Sequence, residues 1–168
     1  MTVSRTLADT RPALPPARMP ELDRETERRL ASGLYNDVWR LMELPERRPE
    51  QDDEMLHAAH ASRHHWGRIG KPVNLARGEW LCSRVYAVLR RPEPAIWHAS
   101  RCLQLLTNLG GGEDWDEAAA CEALARAYSV AGDRDESHRW IAKAREALES
   151  IANADDRNPI EADLKTIE

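Results

Sequence analysis

From Glu21 onward the apolar residues recur at helical spacing, and the two-residue alternation of β-branched side chains that marks strands is missing. A chain patterned this way must bury one stripe of each helix against other helices. Six main helices are predicted. The first, roughly 21–43, carries Leu30, Leu34, Val38 and Leu41 on one stripe, and the second, roughly 50–69, carries Leu56, Ala59, Trp66 and Ile69. The third, roughly 72–90, opens with Pro72 in its first turn and aligns Cys82, Val85, Tyr86 and Leu89. The fourth, roughly 93–109, has Ile96, Ala99, Leu103 and Leu106 and stops at Gly110-Gly111-Gly112. Asp114 and Glu117 predict a capping box for the fifth, roughly 115–131, with Ala118, Cys121, Ala125 and Tyr128 on one face and Gly132 as its stop. Asp133 and Glu136 open the sixth, roughly 134–152, through Ile141, Ala144, Leu148 and Ile151. Asn158, Pro159 and Glu161 predict a short terminal helix. The six tryptophans fall one to each main helix, and phenylalanine is absent. Short connections make successive helices antiparallel neighbours, so the expected architecture is all-α, with three hairpins stacked side by side.

Residues 1–20 stand apart. Pro12, Pro15, Pro16 and Pro20 are interspersed with Arg5, Arg11 and Arg18 against the single acid Asp9, a composition that packs no core and predicts a disordered tail ahead of one helical domain, 21–168. The tail carries +2 and the remainder −7 of a total of −5, which argues against nucleic acid and anionic membranes as partners. No run approaches the roughly 18 apolar residues of a membrane span, and no apolar block near Met1 suits a signal peptide. Cys82, Cys102 and Cys121 are odd in number, widely spaced and set in apolar helical stretches. They read as reduced core thiols, so a cytoplasmic protein is expected.

A shift of 42 residues lays Tyr86 on Tyr128, Ser83 on Ala125, Ala95 on Ser137 and Cys102 on Ala144. Small residues recur where the helices of a hairpin approach closely, and the aromatic fills the gap beside them. The run Ala-Leu-Ala-Arg-Ala-Tyr-Ser-Val-Ala-Gly-Asp at 123–133, continuing to Ala144, resembles a tetratricopeptide (TPR) repeat. Residues 76–103 resemble a weaker copy, with Arg90 where the glycine turn is usual. Thr107 and Glu149 stand where that family closes with proline, and the period exceeds the usual one of about 34. The resemblance is to a TPR-like solenoid with long helices, of the type found in bacterial regulators. It implies that the first helix of each hairpin lines a concave face that binds a peptide or protein partner.

Carried onto this chain, the family's inner-face positions are Arg77, Trp80 and Arg84 on the third helix and Glu122 and Arg126 on the fifth. Arg77, Trp80 and Arg84 also share a face by their own spacing, and guanidinium groups flanking an indole suit a carboxylate-bearing or aromatic ligand. The alternative is that these arginines are solvated or paired within the protein, with Glu122 four residues before Arg126 an evident partner.

The second helix gathers Asp53, His57, His60, His64 and His65. The first four of these fall on a stripe nearly opposite its apolar one. Histidines one turn apart can chelate zinc, copper or iron, but His57 and His64 lie about 10 Å apart along the axis. A metal site would therefore use one pair and borrow ligands such as Glu79 or His98, giving a metal-binding protein or metal-dependent oxidoreductase as the alternative function. Glu54-x-x-His57 has the local spacing of a di-iron bundle but occurs once, where such sites use two copies. The same histidine stripe also fits a solvated polar face or a proton-sensitive contact. Gly110-Gly111-Gly112 is a linker, since no strand precedes it and no Gly-Lys-Ser/Thr follows. No nucleophile elbow, kinase motif or His-Glu-x-x-His is present. The leading expectation is a non-catalytic interaction module, with the short terminal helix covering one end of the stack and a second copy of the chain, as a homodimer, covering the other.

Overall fold

The computed structural model describes residues 21–167. The predicted tail lies outside them. Within the described residues seven helices follow in order: α1 Arg24–Met42, α2 Pro49–Ile69, α3 Pro72–Val88, α4 Pro92–Leu109, α5 Asp116–Ala131, α6 Arg134–Leu148 and α7 Ala154–Lys165. Among the described residues there is no strand, and no helix is long and apolar enough to cross a membrane.

Local chemistry sets most boundaries. Asp23 Oδ1 accepts the Thr26 N–H at 2.9 Å to start α1, and α2, α3 and α4 all carry proline in the first turn. Gly110 and Gly132 end α4 and α5 in the left-handed conformation, at φ 74° and 79°. Asp133 caps α6 through the Glu136 N–H at 3.1 Å, as its spacing predicts.

Three expectations are corrected. The Asp114–Glu117 box does not form, because Asp114 accepts the Ala152 N–H at 3.0 Å from the α6–α7 loop, while Asp116 accepts the Glu113 N–H at 2.9 Å. The terminal helix starts earlier than Asn158: Asn153 is its cap, accepting from the Asp155 N–H at 3.0 Å, and Pro159 sits inside the helix. The buried stripe of α2 is Met55, Ala58, Ala59 and Ser62, leaving Leu56, Trp66 and Ile69 half-buried. Packing against both α1 and α3 rotates α2 toward the seam between them.

Each helix packs on the next in sequence, and the odd-numbered helices also meet one another, α1 with α3 and α3 with α5. The backbones of the even-numbered helices α2, α4 and α6 stay apart, with His60 of α2 and His98 of α4 meeting only through their side chains, and the backbone of α1 approaches none of α4 to α7. The odd helices therefore approach one another in order, α1 to α3 to α5 to α7, while the even ones are spaced apart along them. Gly78 permits the close approach of α3 to α2, since a Cβ there would lie 2.6 Å from Arg63 Cγ and 3.2 Å from Arg63 Cα.

The 42-residue shift also holds in hydrogen bonds. The α3–α4 turn is closed by Arg90 N–H to Ala87 O (3.1 Å), Arg91 N–H to Tyr86 O (2.9 Å) and Ala95 N–H to Arg91 O (3.3 Å). The α5–α6 turn repeats all three as Gly132 to Ser129, Asp133 to Tyr128 and Ser137 to Asp133, each at 3.0 Å. Ser83 Oγ donates to Ala95 O at 2.9 Å, and in the second copy the roles exchange, Ser137 Oγ donating to Ala125 O at 3.0 Å. Each such bond is worth about 1 kcal/mol and fixes the depth at which the two helices meet.

Candidate functional site

The helical spacing that places Arg77, Trp80 and Arg84 on one face of α3 turns that face toward α5 and the chain's own C-terminus. Arg77 makes a two-pronged pair with Asp116, Nε to Oδ1 at 2.9 Å and Nη2 to Oδ2 at 2.8 Å, and its guanidinium lies 4.3 Å from the centre of the Trp115 ring. The carboxylate holds the arginine's pKa above its usual value. Arg84 donates to Glu122 Oε1 at 3.1 Å and to Asp163 Oδ1 of α7 at 2.6 Å. Arg126 donates to the same Glu122 oxygen at 2.7 Å and reaches the Asp163 carbonyl (2.8 Å) and Thr166 Oγ1 (2.9 Å). Burial pushes the Glu122 pKa upward against the pull of these two guanidinium groups. Arg84, Glu122 and Arg126 are thus brought together while Arg77 is held apart on Asp116, all four are paired inside the molecule, and α7 covers the half of the face that carries Arg84, Glu122 and Arg126.

The other half is open. A cleft of about 330 Å³ lies between Ser32, Tyr35 and Asn36 of α1, Ser62 and Trp66 of α2, Asn74, Arg77, Gly78 and Trp80 of α3, and Trp115 at the start of α5. Trp80 forms part of its wall, packs on Trp39 at 5.9 Å between ring centres, and keeps a buried indole N–H with no hydrogen-bond partner among the described residues. Tyr35, Trp66 and Trp115 are the wall residues that the spacing on α3 could not reveal. The sequence signal for Trp66 and Trp115 is one tryptophan to each of the six main predicted helices, which does not say which rings face a common space and does not mark Tyr35.

The histidine cluster divides. Asp53, His57 and His64 are exposed, as are Glu54 and its one-turn neighbour His57, whereas His60 is half-buried against α3 and α4. Its Nε2 lies 3.0 Å from Tyr86 Oη and its ring meets that of His98 edge-on at 5.3 Å. His98 Nδ1 is itself 2.6 Å from Glu79 Oε2, and Glu79 Oε1 takes Arg63 at 2.7 Å. Burial pushes the Glu79 pKa up, but the His98 and Arg63 contacts outweigh it and the net shift is downward. His65 and Arg68 share Glu27 of α1. Among the described residues no group of three or more His, Cys, Asp or Glu side chains is arranged to hold a metal ion. The reason is visible at His60: α2 turns it inward, away from His57 and His64, and its neighbours Glu79 and His98 are committed to each other. The three cysteines are buried, with thiols pushed up to about 12, about 12 and about 11 for Cys82, Cys102 and Cys121, chiefly by burial. At neutral pH they are protonated and behave as core residues.

Compared with known proteins, the chain matches no family model, no curated protein and no solved structure.

Proposed function

We propose that this chain is a non-catalytic interaction module, a short TPR-like α-solenoid of three hairpins, which binds an extended segment of a peptide or protein partner in the cleft between α1, α2 and α3. The layering of odd helices against odd, and the turn that recurs after 42 residues, support the solenoid. The observation that carries the binding role is the cleft itself. Tyr35, Trp66, Trp80 and Trp115 surround it, with the amides of Asn36 and Asn74 among its lining. Aromatic walls of this kind take extended, often proline-rich segments, because rigid rings gain contact area with little entropy lost and nearby amides can hydrogen-bond the peptide backbone.

The test is a random-peptide display library selected on the wild-type protein and counter-screened on Tyr35→Ala and Trp66→Ala variants whose helicity is unchanged by circular dichroism. An anchor ring contributes about 2 kcal/mol or more, so selected peptides lose roughly thirtyfold in affinity on each variant. Peptides that bind both variants as tightly as the wild type would remove the cleft from consideration.

A further inference from the structure

We infer that the seat of α7 is a second binding site, for an acidic amphipathic helix of a partner protein, which the chain's own α7 occupies as a resident stand-in. It concerns the opposite half of the odd-helix face and does not rest on the aromatic cleft.

The charges define what the seat requires. Arg84 and Arg126 are largely buried, with side chains 12% and 17% exposed, and Glu122 is 2% exposed between them. Two guanidinium groups share one carboxylate oxygen, so any helix that covers the seat as α7 does buries one surplus positive charge beneath it. Asp163 supplies the missing negative charge, at 2.6 Å from Arg84 and 3.8 Å from Arg126. A buried cation without its counter-ion is costly, so a ligand here must bring a carboxylate. The shape requirement comes from Ile160 and Leu164, buried one turn apart, with Ile167 packed on the same core cluster below. A ligand that fits therefore has apolar residues at i, i+4 and i+7 and an acid at i+3.

The resident helix is built to leave. It has 12 residues, too few for a stable isolated helix, and Pro159 inside it removes one of its hydrogen bonds. It lies against α5 and α6, with Arg84 of α3 reaching it through its side chain. A cavity of about 370 Å³ opens between it and α6, lined by Arg145, Leu148, Arg157, Glu161 and Leu164 among others. The contact surface is correspondingly incomplete, and a longer helix with better-filled packing can compete for it.

The experiment uses the full chain and a fluorescein-labelled peptide with the sequence of residues 154–167. Ile160→Asp/Leu164→Asp in the protein undocks its own α7. The peptide is expected to bind this variant at least tenfold more tightly than the wild type, and a peptide carrying Asp163→Lys at least tenfold more weakly than the unaltered one. Equal binding to variant and wild type, no binding to a variant that keeps its helicity, or indifference to Asp163→Lys would each overturn the proposal. Should the variant not fold, hydrogen exchange in the wild type decides: α7 amides exchanging at least tenfold faster than those of α5 support an exchangeable helix, and protection equal to that of α5 overturns it. Wild-type dimers that the peptide disperses would assign the seat to α7 of a second copy, and the heterologous partner would be withdrawn.

Discussion

His60 is a histidine whose titration the fold has altered. Burial is the main cause, and the neighbouring His98 adds to it, so its pKa lies below the usual 6.5. The groups facing it are His57 and Arg63 on its own helix, Glu79, Cys82 and Tyr86 on α3, and His98 on α4. Because the folded value is depressed, the stability it confers is full above pH 6.5 and is lost as pH falls through the folded pKa, while the unfolded chain takes up its proton first. Glu79 and Glu27 are also lowered, but from 4.5, so their losses come at more acidic pH. Thermal melts at pH ~7.5 and ~5 should therefore show a smaller drop for His60→Gln, which keeps a hydrogen-bonding group near Tyr86, than for the wild type. Identical drops would mean that the ring titrates as it does in the unfolded chain.

At the level of helices and turns, the two repeat copies differ most usefully at one backbone position. Arg90 sits at φ 56° where Gly132 sits at φ 79°, inside turns that are otherwise bonded alike. A side chain in that region is strained by roughly 1 kcal/mol, which glycine avoids. Arg90→Gly should raise stability by about 1 kcal/mol and Gly132→Arg should lower it by at least as much, both read from urea midpoints. Opposite or absent effects would show that the two turns are not equivalent. The same turns explain how far the elements were legible from the sequence. Pro49, Pro72, Pro92, Gly110, Gly132 and Asp133 act within a turn of themselves, so each boundary could be read from its neighbours. Asp114 could not, because its partner is the Ala152 N–H, 38 residues away. The buried face of α2 is not legible for a related reason: one apolar stripe on a helical wheel does not say that the helix has two neighbours.

Across the whole molecule, the candidate face was legible as a set of residues but not in its state of occupation. Spacing on α3 puts Arg77, Trp80 and Arg84 on one face and the TPR resemblance adds Glu122 and Arg126, yet Asp116 and Asp163, which neutralise Arg77 and Arg84, lie 39 and 79 residues from them. Trp66 and Trp115 come to the cleft from other helices. The residue that joins most of these elements is Glu122, which lies on α5, binds Arg84 of α3 and Arg126 of its own helix, and through them sets the charge that holds Asp163 of α7. Glu122→Gln keeps the shape and removes the charge. Two largely buried guanidinium groups are then left with Asp163 alone, and breaking a buried pair in this way costs about 3–5 kcal/mol. Some of that is returned, because burying the carboxylate is itself unfavourable, so a loss near ~3 kcal/mol is expected in the urea midpoint. Arg84→Met in the same background should recover part of the loss, since it removes one of the unmatched charges while keeping the apolar stem. A Glu122→Gln protein as stable as the wild type would mean that Asp163 alone suffices for both arginines, and α7 would then be a fixed strut of the fold.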